Sequence, residues 1–182
     1  MLICGGSRSG KSRWAEHLAA SSGRPVLYLA TAAERPDDAA WCERLDRHRR
    51  RRPTHWGCLE VGSQLSETLR AMQQPDHGQD DPLLLIDSLG TWLAQHLEAD
   101  GQRWQHLQQE LLDALAVQQA PVLLVCEEVG LGVVPATPIG NRFRDRLGEL
   151  SQRLMAQSQD SWLVLAGRAL NLHSLSQVVP ER

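Results

Sequence analysis

Gly5-Gly6-Ser7-Arg8-Ser9-Gly10-Lys11-Ser12, directly after the apolar residues 1–4, decides how the rest of the chain is read. The run satisfies G-x-x-x-x-G-K-[S/T] between a short apolar stretch and a segment of helical composition, the context such a loop requires. Its glycines let backbone N–H groups curl around phosphate oxygens. The first turn of the following helix adds the positive end of its dipole. Lys11 is placed to reach the β- and γ-phosphates, and the Ser12 hydroxyl to ligate Mg²⁺. A chance match in a chain of this length is below about 1%. Lys11 is also the single lysine beside eighteen arginines. A compact ammonium at this one point marks a place where a guanidinium fork would not fit.

Working outward, the first helix runs to about Ala20, and Gly23-Arg24-Pro25 stops it. Residues 26–30 read as a buried strand. Pro36-Asp37-Asp38 opens a helix that places Trp41, Leu45 and His48 on one face and ends before Pro53. A strand over 55–61, a helix over 64–72 and a polar surface loop over 73–82 follow. The strand 83–87 ends in Asp87, and a helix starts near Ser88. Trp104, Leu107, Leu111 and Leu115 form the stripe of another helix. The strand 122–126 ends in Glu127-Glu128, and residues 130–140 read as a loop. Phe143, Leu147, Leu150 and Leu154 mark the last long helix, residues 162–166 the last strand, and a polar tail follows Arg168.

Strands alternate with helices and are apolar throughout, the pattern of a parallel sheet buried on both faces. The expected fold class is α/β: a P-loop, RecA-like three-layer fold with a mostly parallel central sheet, in one domain spanning 1–182. With 182 residues, 42% of them hydrophobic, the chain can hide roughly 70% of its unfolded surface. A net charge of −3 argues against nucleic acid as a partner. No apolar run reaches the ~20 residues of a membrane helix, and the start lacks the form of a signal peptide, so the expectation is a cytoplasmic protein with no membrane association. The four cysteines are scattered without a CxxC pair, which fits reduced thiols better than zinc.

Asp87, at the end of an apolar strand, is the carboxylate expected to partner Mg²⁺ with Ser12; capping the next helix is its other reading. Glu127 and Glu128 end a strand at the same edge and would serve as base or metal partner, or as a solvated pair. In residues 44–56, His48 is embedded among Arg47 and Arg49, Arg50, Arg51 and Arg52. Those charges disfavour imidazolium and favour a nucleophilic nitrogen at neutral pH. The arginines suit a triphosphate, although such runs are commonly a solvated face. His55, on an apolar-flanked strand, reads as structural.

These residues resemble the bifunctional adenosylcobinamide kinase/adenosylcobinamide-phosphate guanylyltransferase family of cobalamin biosynthesis. The likeness runs from Met1 to about Gly167. It is carried by the phosphate loop with Arg13, Ala15 and Glu16, by Leu27-Tyr28-Leu29-Ala30-Thr31, and by R-L-x-x-H-x4-P-x-H-W from Arg44 to Trp56. Glu128-Val129-Gly130-Leu131-Gly132-Val133-Val134-Pro135 and Phe143-Arg144-Asp145 complete it. The resemblance implies phosphorylation of adenosylcobinamide by ATP or GTP. It then implies GMP transfer from GTP, through a guanylylated histidine, to adenosylcobinamide phosphate. It puts that histidine at His48, nucleotide contacts at the phosphate loop, Ala30, Thr31, Ala32, Arg49–Arg52, Glu60 and Asp87, and the assembly as a homotrimer. Glu127, Asp87, Glu149 and Ser151 stand where the family pattern has Asn, Glu, Arg and Asn. Another small P-loop kinase would leave His48 and the arginine run without a task. A non-enzymatic nucleotide switch would want a basic surface that the net charge does not supply.

Overall fold

The computed structural model describes residues 1–33, 37–73 and 81–180. Pro36, read as a helix start, and residues 74–80 of the polar loop lie outside the described residues. In chain order the elements are β1 (Leu2–Gly5), α1 (Lys11–Ser21), β2 (Val26–Ala30), α2 (Ala39–Arg51), β3 (Gly57–Glu60), α3 (Leu65–Ala71) and β4 (Leu83–Asp87). There follow α4 (Leu89–Ala94), α5 (Gly101–Ala116), β5 (Val122–Glu127), α6 (Pro138–Gln157), β6 (Ser161–Leu165), β7 (Arg168–Asn171) and α7 (Leu172–Leu175).

Among the described residues seven strands form one sheet, in the order β3-β2-β4-β5-β1-β6-β7. Every pairing is parallel except β6–β7. The uniform apolarity of the central strands has its explanation in two cores. Leu2, Cys4, Leu84, Ile86, Leu124 and Cys126 point to one face, where α3, α4, α5 and α6 pack. Ile3, Leu83, Leu85, Leu123 and Val125 point to the other, where Ala15 and Ala19 of α1 pack. Side chains alternate between faces along each strand, so burial on both sides demands apolar residues at every position. The fold is α/β with a mostly parallel sheet, as read.

Three local expectations are corrected. His55 is exposed in a turn before β3, not on a strand. Pro138 does not sit in a loop but opens α6, whose Thr137 hydroxyl caps the Gly140 N–H; proline at a first helical turn loses no hydrogen bond there. The stretch read as a polar tail after Arg168 begins with a strand: the chain reverses through Ala166 (φ 50°) and Gly167 (φ 77°) into β7. Two left-handed residues in succession make the tight hairpin turn, usually signalled by Asn-Gly rather than Ala-Gly.

Candidate active site

All parallel strands end at one edge of the sheet, and the chemistry-bearing side chains collect there. β1 runs into the phosphate loop. Gly10 (φ 104°) is the N-cap of α1 and has no side chain to cap it, so the N–H groups of Ser12 and Arg13 face the loop at the positive end of the helix dipole. Within the loop the Ser9 N–H donates to Gly6 O (3.2 Å), and the Lys11 N–H to Ser9 Oγ (3.3 Å). Arg8 takes φ 56°, a left-handed conformation uncommon for a side-chain-bearing residue. Gly5 is needed because a Cβ there would strike the carbonyl of Val164. Lys11 is only 5% exposed and bends back to Gly6 O at 3.4 Å.

β4 lies two strands from β1, with β5 between them. At its end Asp87 accepts a hydrogen bond from the Tyr28 hydroxyl (2.9 Å). His48 Nδ1 lies 3.9 Å from the same carboxylate oxygen, with side-chain exposures of 26% for His48 and 10% for Asp87. That distance is a charge contact and not a hydrogen bond. The sequence reading had only cations around His48; the carboxylate opposes them by favouring imidazolium. Burial and the Asp87 charge push the Tyr28 phenol well above its usual pKa, so it stays a donor. Glu16 of α1 is also raised, first by burial and also by the Asp87 charge, while Arg51 pulls it down.

The arginine run does not act as one patch. Arg49 pairs with Glu60 of β3 at 2.7 Å. Arg51 pairs with Glu16 at 2.6 Å. Arg52 lies over the Tyr28 ring at 4.0 Å and donates to Cys58 Sγ at 2.8 Å. Arg50 is exposed.

Ala30 ends β2 at this edge and Thr31 and Ala32 follow it, but the Thr31 side chain is fully buried. Its hydroxyl donates to Ser88 O (2.6 Å) and accepts from the Ser88 N–H (2.8 Å). Its carbonyl accepts from Gln95 Nε2 (2.7 Å). Thr31 therefore anchors the β4–α4 corner, where the Asp87–Ser88 peptide is cis. Ser88 caps α4 in a reciprocal box with Thr91. Glu127 closes the corner from β5: it accepts from Ser88 Oγ at 2.5 Å and from the Gly90 N–H at 2.8 Å. Gly90 admits it, since a Cβ would fall on the carboxylate. Glu128 accepts from the N–H groups of Gly130 and Leu131. Neither acid is a solvated spare: each holds a turn.

Sequence reasoning passed over Tyr28 and Glu16 as site residues. Tyr28 had a signal, as the one polar-tipped residue in an otherwise apolar strand that points at this edge. Glu16 stood only among the residues that carry the resemblance, five positions after the loop lysine.

The family model described as "Cobinamide kinase / cobinamide phosphate guanyltransferase" matches residues 1–172. The chain belongs to this family. It is 40% identical over 172 residues to the bifunctional adenosylcobalamin biosynthesis protein CobP of Pseudomonas aeruginosa, covering 94% of this chain and 95% of that one. It is 34% identical over 181 residues to the bifunctional adenosylcobalamin biosynthesis protein CobU of Escherichia coli, covering 92% and 96%. Among solved structures, a protein from Pyrococcus horikoshii OT3 superposes with TM-score 0.57 at 7% identity, over 94% of this chain and 84% of that one. An ATPase of a bacterial type III secretion system does so with TM-score 0.50 at 12% identity, over 97% and 58%. At such identities the structural likenesses speak for the fold alone.

Proposed function

We propose that this member of the cobinamide kinase/guanylyltransferase family is a bifunctional transferase, with residues 1–182 as one kinase/nucleotidyltransferase domain. It phosphorylates the aminopropanol hydroxyl of adenosylcobinamide with ATP or GTP. It then transfers GMP from GTP, through His48, to adenosylcobinamide phosphate, giving adenosylcobinamide-GDP. The observation that carries the reading is the pairing of His48 with Asp87 on the same sheet edge as the phosphate loop.

In the transfer, His48 turns Nδ1 to Asp87, so Nε2 is the attacking nitrogen. Its lone pair forms the bond to the α-phosphorus of GTP, and the bond from that phosphorus to the bridging oxygen breaks. Pyrophosphate leaves with the electron pair. A phosphate oxygen of the acceptor then attacks the same phosphorus, and the N–P electrons return to His48. Asp87 stabilises positive charge on the ring while the adduct exists. Lys11 and the loop N–H groups hold the β- and γ-phosphates.

Ser12 and Asp87 would hold Mg²⁺, which neutralises phosphate charge when bound. Among the described residues no three His, Cys, Asp or Glu side chains gather as a metal cage. A hydroxyl and a carboxylate suit an ion that arrives on the nucleotide and keeps phosphate and water as its other ligands. The reading also takes the protein as a cytoplasmic homotrimer with active sites near subunit boundaries. Among the described residues no helix is long and apolar enough to cross a membrane.

The test is GTP labelled on its α-phosphate, followed by a denaturing gel. Acid-labile, alkali-stable label on the chain is expected. Absence of label, with GTP shown to bind, removes the guanylyl half of the reading.

A further inference from the structure

The phosphate loop has a flank on each side, and the site described so far uses one. β4 and β2, which carry Asp87 and Tyr28, lie on one side of β1; β6 and β7 lie on the other. With neighbouring strands ~4.8 Å apart, Asp87 and the start of β7 each stand roughly 10 Å from the loop strand, in opposite directions. On the second flank a cleft of about 530 Å³ opens between Gly10, Arg13 and Trp14 on one wall and Gly167, Arg168 and Ala169 on the other. Its volume lies within the range of small-molecule sites. The cleft is joined to the loop directly: the Gly167 N–H donates to Ser9 O at 3.0 Å.

We propose that this cleft is a second base subsite, which holds the nucleobase of the triphosphate that donates its γ-phosphoryl group. The inference rests on the kinase half of the function proposed above. GMP transfer requires the α-phosphate beside His48, and so requires the rest of that nucleotide on the β2–β4 flank. Phosphoryl transfer makes no such demand on the base. Once His48 carries GMP, that flank is filled, and a donor seated on the same loop has only the β6–β7 flank for its base. The walls have the chemistry for it. Trp14 is fixed by an edge contact to Trp162 (5.1 Å between centroids) and a stack on His17 (5.3 Å). Arg13 reaches back over Gly10, and Arg168 stands on the opposite wall. An indole and two guanidiniums offer flat faces to a flat base.

The test uses the full-length protein with Mg²⁺ and 8-azido-ATP, then peptide mapping after irradiation. Label is expected on the peptides carrying Trp14 or Arg168-Ala169. In parallel, Arg168→Ala, and Ala169→Leu to fill the cleft, are assayed for both half-reactions. Removing a stacking partner should raise the KM for ATP in the kinase reaction by ~5- to 100-fold. The kcat, and the rate at which His48 takes label from GTP, should stay within about twofold. Label on the peptides carrying Tyr28, Glu60 or Asp87 overturns the subsite, as does an unchanged KM for ATP in both variants. If the wild-type protein passes no phosphate from ATP or GTP to adenosylcobinamide, the kinase reading itself fails and takes this one with it. An active wild type with label elsewhere removes the subsite alone.

Discussion

Replacing Glu127 separates a structural acid from a catalytic one. In the sequence it looked like a base or metal partner, yet both its carboxylate oxygens are engaged, by Ser88 Oγ at 2.5 Å and the Gly90 N–H at 2.8 Å. Hydrogen bonds to a charged group are worth ~1.5–3 kcal/mol each, and both of these are partly buried, so the lower end applies. Glu127→Ala should therefore cost roughly 3 kcal/mol. In a chain of this size that is a fall in Tm of about 6–12 °C. Glu127→Gln keeps the shape but can accept from only one of the two donors, and its amide faces the other; about half of the loss should remain. A double-mutant cycle with Ser88→Ala should return a coupling of ~1 kcal/mol or more, because the two side chains share a bond. Thermal and urea denaturation read the stability, and both half-reactions are assayed at 25 °C, where the variants stay folded. The reasoning is refuted if Glu127→Gln keeps its Tm within about 2 °C and loses phosphoryl transfer outright. Glu127 would then be the base of the kinase step.

Lys11→Ala should fold normally and lose both nucleotide-dependent reactions; wild-type turnover of either in that variant would remove the loop from the mechanism. His48→Ala should keep measurable adenosylcobinamide phosphorylation and take no label from α-labelled GTP. His55→Ala, at an exposed turn, should stay within about 0.5 kcal/mol of wild type and take label as before; the reverse labelling pattern would move the nucleophile to His55. His96, whose ring faces Ser63 O, has its pKa lowered by burial below the ordinary 6.5. The unfolded chain therefore binds the proton more readily, so stability is full above that value and declines as pH falls through it. Denaturation midpoints at pH 8 and pH 5.5 should show this decline shrinking in His96→Gln.

The sheet was legible because its central strands carry no polar residue except at their ends, where Asp87 and Glu127 mark the edge that holds the site. Parallel strands covered on both sides leave that signature; α6 and the β6–β7 hairpin do not. Two prolines and three glycines over 130–140 suggest a loop, yet Pro138 opens a helix, and Ala166-Gly167 does not announce a left-handed turn. The apolar flanks of His55 suggest a strand over 55–61, but the strand begins only at Gly57. Within the site, the loop and His48 stood out as motifs. The corner made by Thr31, Ser88, Gly90 and Glu127 did not, because its members come from β2, β4, α4 and β5 and meet only once the sheet is ordered.

The arginine run shows how a correct emphasis can rest on incomplete physics. Four consecutive arginines suggest a single positive field, but consecutive residues at a helix end point about 100° apart and cannot serve one neighbour. Arg49 goes to β3, Arg51 to α1, and Arg52 to the Tyr28 ring of β2. Two of the three meet carboxylates, and a third carboxylate, Asp87, faces His48 itself. Asp87 thus sets a negative charge beside the imidazole, 3.9 Å from Nδ1, that the run of arginines in the sequence does not show. The Arg49–Glu60 pair is well exposed and holds α2 weakly, at under about 1 kcal/mol. Arg51–Glu16, with the acid only 12% exposed, and Arg52 on the tyrosine ring are the firmer ties. These two fix the last turn of α2 over the strand ends, and so determine where His48 stands relative to the phosphate loop. Replacing Arg51 or Arg52 acts on the histidine's position before it acts on any charge.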